Sequence, residues 1–193
     1  MKILSLLLSL IACQPGKVDV TSEVDSNVSK EDQSPITWTD CSSNEGDHPC
    51  DFTLKDQLGN DVNLYELYGK PIIVDFSTMW CYYCQMAGYD VKEIADLYGE
   101  DELIYITVLI QNFTGSEPEQ ADLSEWANHF GLDDASTPVL SGKQQMITAS
   151  PEDGWYAEAW PTFYFIDREM RIKMYLRGWS AASINAGAES IVQ

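Results

Sequence analysis

Cys81-Tyr82-Tyr83-Cys84 is the stretch of this sequence best suited to chemistry. Two thiols three positions apart share one face in the first turn of a helix, within reach of a mutual disulfide. The flanks decide whether such a pair is reactive. Upstream, Ile72-Ile73-Val74-Asp75-Phe76 is a continuous β-branched and apolar run, as in a strand buried on both faces. Downstream, Ala87, Val91, Ile94, Ala95 and Tyr98 recur at helical spacing and form one apolar stripe. Cys81 therefore stands where a strand gives way to a helix. Unpaired N–H groups and the positive end of the helix dipole favour the nucleophilic thiolate there. Zinc ribbons also use C-x-x-C, but with a second pair at matching spacing, and the gap between Cys41 and Cys50 is much longer. A structural disulfide fits the spacing too; the strand-then-helix setting favours a redox pair.

Asp75 is the second chemical signal. A carboxylate in the middle of a buried strand loses its hydration, so its pKa is expected to rise. A hydrogen-bonded core carboxylate is the plain alternative, and closeness to a reactive centre argues for a tuned group.

The elements that must hold these residues are legible on either side. Phe52-Thr53-Leu54 and Val62-Asn63-Leu64 flank Gly59-Asn60 and predict a hairpin. Leu103 to Ile110 predicts another fully buried strand. Ser116-Glu117-Pro118-Glu119 predicts a helix start with a capping box and a first-turn proline. Leu123, Trp126, Ala127 and Phe130 then mark its buried face, His129 its wet side, and Gly131 its end. Thr162 to Ile166 and Arg171 to Leu176 predict two strands around the turn Asp167-Arg168-Glu169, the second with one wet face. Ser180 is placed to cap a last helix carrying Ile184, Ala188 and Ile191. The order β-α-β-α-β-β-α predicts an α/β fold, a mixed central sheet with helices on both faces.

With these pieces in place, the sequence resembles the thioredoxin superfamily, and within it the exported TlpA/ResA-like thiol–disulfide oxidoreductases. Val74-Asp75-Phe76-Ser77-Thr78-Met79-Trp80-Cys81-Tyr82-Tyr83-Cys84 is similar to the family's V-D-F-x-x-x-W-C-x-x-C. The likeness extends to the hairpin between Asp51 and Leu64, Lys70-Pro71, Trp160-Pro161-Thr162 and Gly178, over roughly residues 50 to 193. It implies a thioredoxin-like fold with an N-terminal hairpin. It also implies that Pro161 is a cis-proline facing the cysteines, although as a bare residue it reads as an ordinary strand-starting proline. By the same resemblance Trp160 and Thr162 border the substrate site, Trp80 shapes it, and Asp75 moves a proton to or from Cys84. Tyr82 and Tyr83 depart from the Gly-Pro-like dipeptide frequent in the family; they could offer a platform to substrate, or Tyr83 could simply pack. The partners implied are protein thiols and disulfides, with a membrane protein as electron donor, and no cofactor or metal is called for.

The N-terminus predicts export. Lys2 precedes an apolar run, Ile3 to Ala12, too short to span a bilayer. Leu10-Ile11-Ala12-Cys13 resembles the lipobox of bacterial lipoproteins, so residues 1–12 read as a signal peptide and Cys13 as the lipidated residue. Residues 13–40 are rich in Ser, Asp and Glu and read as a flexible acidic tether in which Trp38 is an outlier; residues 41–193 read as the folded domain. The expected location is the bacterial envelope, facing the periplasm, with the outer membrane favoured by the absence of Asp after Cys13. Of five cysteines, lipidation removes one, which leaves Cys41 and Cys50 to pair as a structural disulfide in an oxidising compartment. Cys41, His48 and Cys50 as metal ligands are the alternative, without an evident fourth.

Composition sets outer limits. A net charge of -20 with only 11 Lys and Arg argues against nucleic-acid partners. Two other functions stay in view. Thr78-x-x-Cys81 is similar to the peroxiredoxin T-x-x-C, with Val74 where that motif has proline. Copper delivery of the Sco kind would need wider cysteine spacing and a distal histidine.

Overall fold

The computed structural model describes residues 35–99 and 102–193. The expected signal peptide, Cys13 and most of the expected tether lie outside these residues. Strands β1 (Thr53–Lys55) and β2 (Asp61–Asn63) form the N-terminal antiparallel hairpin. A five-stranded sheet follows in the order β5-β4-β3-β8-β9. Its members are β3 (Ile72–Thr78), β4 (Ile104–Gln111), β5 (Val139–Ser141), β8 (Thr162–Ile166) and β9 (Ile172–Arg177). β3, β4 and β5 run parallel, whereas β8 and β9 join antiparallel. Two-residue strands β6 (Ile147–Thr148) and β7 (Trp155–Tyr156) pair separately. Helices α1 (Tyr82–Tyr98), α2 (Gln120–Phe130) and α3 (Ala181–Val192) complete the fold.

The mixed sheet is as expected; the helices are not on both faces. Buried side chains of all three α-helices join one core layer with Ile73, Tyr105, Phe163 and Phe165. The opposite layer, around Ile72, Val74, Phe76 and Ile106, is covered by Phe52 and Leu64 at the hairpin and by Trp155 and Met170. The reason is handedness. The crossovers β3–α1–β4 and β4–α2–β5 step in the same direction across the sheet, and right-handed connections then place both helices on one side. Gly187 lets α3 lie close against β8, since a Cβ there would stand 2.3 Å from the Phe165 ring.

One boundary and one element also differ from expectation. α2 starts at its Glu119 N-cap, with a capping box between Glu119 and Asp122, not at Ser116. Asn112 explains the shift: its side-chain carbonyl accepts from the N–H groups of Thr114 (3.0 Å) and Ser116 (3.1 Å) and holds that segment as a loop. β5 was not anticipated because three residues at a sheet edge carry too little pattern.

Candidate active site

Every residue of β3 is buried, and alternation sends Ile73, Asp75 and Ser77 toward the helical layer. A register shift after Ser77 turns the chain at the end of the strand, and Met79 N–H donates to Gln111 O at 2.9 Å. Cys81 follows as the N-cap of α1. The Cys84 N–H donates to its sulfur at 3.4 Å, so the sulfur caps the first turn of the helix. Cys81 and Cys84 are both free thiols, and they differ in exposure: Cys81 keeps 8% of its surface and Cys84 none. The bond between Trp160 and Pro161 is cis. It aims the Trp160 carbonyl at the site, where the Cys81 thiol donates to it at 3.5 Å.

Asp75 lies beneath Cys84. Burial pushes its carboxyl up to about 7, against the pull of a hydrogen bond donated by the Ser77 hydroxyl at 2.7 Å. Burial also drives the Cys84 thiol far upward, and the negative charge of Asp75 adds to this. The direction is plain for the pair: two anions cannot share this dry space, so a proton stays between them at neutral pH. Tyr105 and Thr107, from β4 on the same side of the sheet, place buried hydroxyls there with no hydrogen-bond partner among the described residues.

Around the outer sulfur stand aromatic side chains. Tyr82 and Tyr83 are 67% and 55% exposed and meet edge to face, so Tyr83 is not a packing residue. Trp80 is half exposed and is held by its indole N–H on Gln111 Oε1 at 2.9 Å. Trp160 is half-buried and Pro161 buried. Thr162 is a correction: it is wholly buried, and its hydroxyl donates back to Ala159 O at 2.7 Å. It braces the loop and does not border the substrate surface. As the first residue of β8, it points to the sheet face away from the helices, with Tyr164 and Ile166.

Cys41 and Cys50 are joined (S–S 2.00 Å) far from this site, so they are not available as metal ligands. His48, the third member of that alternative, bonds Met170 O through Nδ1 at 2.7 Å and stacks on Trp38. Trp38 also donates to the Tyr65 hydroxyl at 3.0 Å, so the docked chain begins inside the segment read as tether. Among the described residues no group of three His, Cys, Asp or Glu is arranged to hold a metal. Ser77, Gln111 and Tyr105 were missed as site residues. Strand alternation from Asp75 marks Ser77, but the other two depend on cross-strand register.

A cysteine pair at the head of α1, a cis-proline loop opposite and a carboxylate under the inner sulfur define a thioredoxin-like protein built for thiol–disulfide exchange. The chain belongs to the AhpC/TSA family, whose model matches residues 46–175. It is 26% identical over 125 residues to the thioredoxin-like protein YneN of Bacillus subtilis, covering 65% of this chain and 66% of that protein. To the thiol-disulfide oxidoreductase ResA of Geobacillus thermodenitrificans it is 23% identical over 128 residues, covering 66% of each. The match thus spans about two thirds of the length of these two relatives. Among solved structures, the exposed lipoprotein thioredoxin Etrx1 of Streptococcus pneumoniae superposes with a TM-score of 0.55 at 26% identity, over 73% of this chain and 99% of that one.

Proposed function

We propose that this protein is an exported thiol–disulfide oxidoreductase that reduces disulfides of protein substrates. One observation carries the reading: an outer sulfur set at a helix N-terminus, and an inner sulfur sealed over a carboxylate that titrates near neutrality. The outer thiolate, Cys81, attacks the substrate disulfide; a Cys81–substrate bond forms, and the first substrate sulfur leaves and takes up a proton. Asp75 accepts the proton of Cys84, whose sulfur then attacks Cys81 Sγ. The Cys81–Cys84 disulfide forms, the second substrate thiol departs, and two electrons have passed to the substrate. A sulfur as hard to ionise as Cys84 is a poor leaving group, so this disulfide resists reopening, which supports reduction as the forward direction. The backbone at Trp160 and Pro161 receives the substrate chain, with Trp80, Tyr82 and Tyr83 around it. A membrane protein returns the electrons.

The peroxidase alternative rests on Thr78, whose hydroxyl is buried and makes no hydrogen bond among the described residues. Trapping tests the main reading. Cys84→Ala expressed in its own host should accumulate dithiothreitol-sensitive adducts with other proteins, and a further Cys81→Ala change should remove them. Adducts that persist in the double variant, or none in the single one, would defeat it. Peroxide consumption faster than protein-disulfide turnover would point to the peroxidase instead.

Leu10-Ile11-Ala12-Cys13 supports export with a lipid on Cys13, and the pneumococcal relative is by name an exposed lipoprotein. The protein would then face the periplasm from a membrane, with the outer membrane favoured. Cys13→Ala should move it from the membrane fraction to the soluble one. Retention with normal acylation would sink the anchor.

A further inference from the structure

Beside the dithiol, between α1 and α2, lies a cleft of about 270 Å³ that the exchange steps leave unused. Its size suits a side chain better than a small-molecule cofactor, whose sites run to roughly 300–1,000 Å³. Met79 walls it on the side of the active-site turn, Phe113 on the side of the β4–α2 loop, and Trp126 and Phe130 across α2, with Gln85, Glu125 and His129 as its polar groups. The walls are held in place. Gly88 of α1 lets the Phe130 ring lie flush, since a Cβ there would stand 2.8 Å from it. Phe113 is 55% exposed on the loop that Asn112 organises, and the Asn112 amide donates to Asp122 at 3.2 Å. Trp80 is tied to Gln111, two residues before Phe113, so the loop that carries Phe113 is linked to the residue before Cys81.

Charge selects the occupant. Among the described lining residues Glu125 is the only carboxylate, and no Lys or Arg stands with it. His129 Nε2 is engaged by the Tyr89 hydroxyl at 3.2 Å. Aromatic faces attract a cation placed over them, and an aliphatic stem packs on the same walls. We propose that this cleft is a specificity pocket for an arginine or lysine side chain of the protein substrate, close in sequence to the cysteine under attack. The proposal rests on the exchange reading above and adds the recognition element that picks the substrate. The net charge of -20 works in the same sense by drawing basic segments toward the surface.

The test uses peptides with one cysteine held as a mixed disulfide with glutathione, and with Arg or Glu placed two, three or four residues to either side. At low salt kcat/KM should favour Arg over Glu by about tenfold at one of these positions, and the preference should shrink as salt rises. Glu125→Gln and Phe113→Ala should each reduce that ratio below about threefold, as expected if charge and ring both contribute. Equal rates for Arg and Glu peptides at every position, or a preference that survives both substitutions, would overturn the pocket. Hydroxyethyl disulfide, a small neutral substrate, keeps the two readings separate: if the parent protein reduces it but shows no Arg preference, only the pocket is lost. If it reduces neither substrate, the exchange reading falls and the pocket with it.

Discussion

Asp75→Asn should slow disulfide turnover near neutral pH by ~10²–10⁴, the usual worth of a general base, and should at the same time make the fold more stable. The two effects have one origin. The Asp75 carboxyl titrates at about 7 in the folded chain against 3.8 for an unperturbed one, so the folded state holds this proton more tightly than the unfolded state does. Below about pH 4 burial of the carboxyl carries no ionisation cost. The cost grows as pH rises through the folded value and reaches about 4 kcal/mol on the alkaline side. Asparagine never ionises and can still accept from Ser77. Urea unfolding should therefore find the variant more stable than the parent at pH 8.5 and close to it at pH 4.5. Turnover of the variant should recover partly at high pH, where Cys84 loses its proton to solvent base. Alkylation of Cys81 by iodoacetamide should change little, because that sulfur depends on the helix terminus and not on the carboxylate. Slower alkylation with unaltered resolution, or lower stability at pH 8.5, would reduce Asp75 to a structural carboxylate.

Replacing both Cys41 and Cys50 by serine should cost about 2–3 kcal/mol, the loop-closure entropy of so short a ring, and lower Tm by about 5–10 °C. The loop does more than close on itself. Gly46 N–H donates to Ile172 O at 2.7 Å, and Ile172 N–H donates to Asp47 O at 3.0 Å, so the ring is pinned to the start of edge strand β9. Reductant should weaken the parent by the same amount and leave the double variant unaffected. Turnover should survive, because this loop packs at the β8–β9 turn while Cys81 lies beyond the other end of β3. A folded double variant without turnover would give this pair a redox role.

What was legible in the sequence followed from how strongly each element repeats its own period. β3 and β4 are long apolar runs, and the stripe of α1 spans its whole length, so the strand-to-helix junction at Cys81 could be read directly. The burial of Asp75 followed from its place inside such a run. The start of α2 was misplaced because Asn112 captures the N–H of Ser116, a competition between side chain and helix that composition does not reveal. Both-face packing of the helices failed on β5, the unseen strand that fixes the direction of the second crossover. Thr162 failed for a smaller reason: a residue adjacent to a site loop can still turn its side chain the other way. The cleft beside the dithiol brings together residues from Met79 to Phe130, and no local pattern announces it.

The docking of Trp38 has a consequence for how the molecule is presented. Trp38 binds among His48, Tyr65 and Tyr68, close to the β8–β9 turn, whereas Cys81 lies past the opposite end of the seven-residue strand β3, ~23 Å of extended chain away. The chain thus enters the domain at one pole and does its chemistry at the other. A surface, a bead or a reporter joined directly ahead of residue 35 would meet the domain at the pole away from the cysteine pair. A fusion intended to block access would have to join the domain elsewhere than at residue 35.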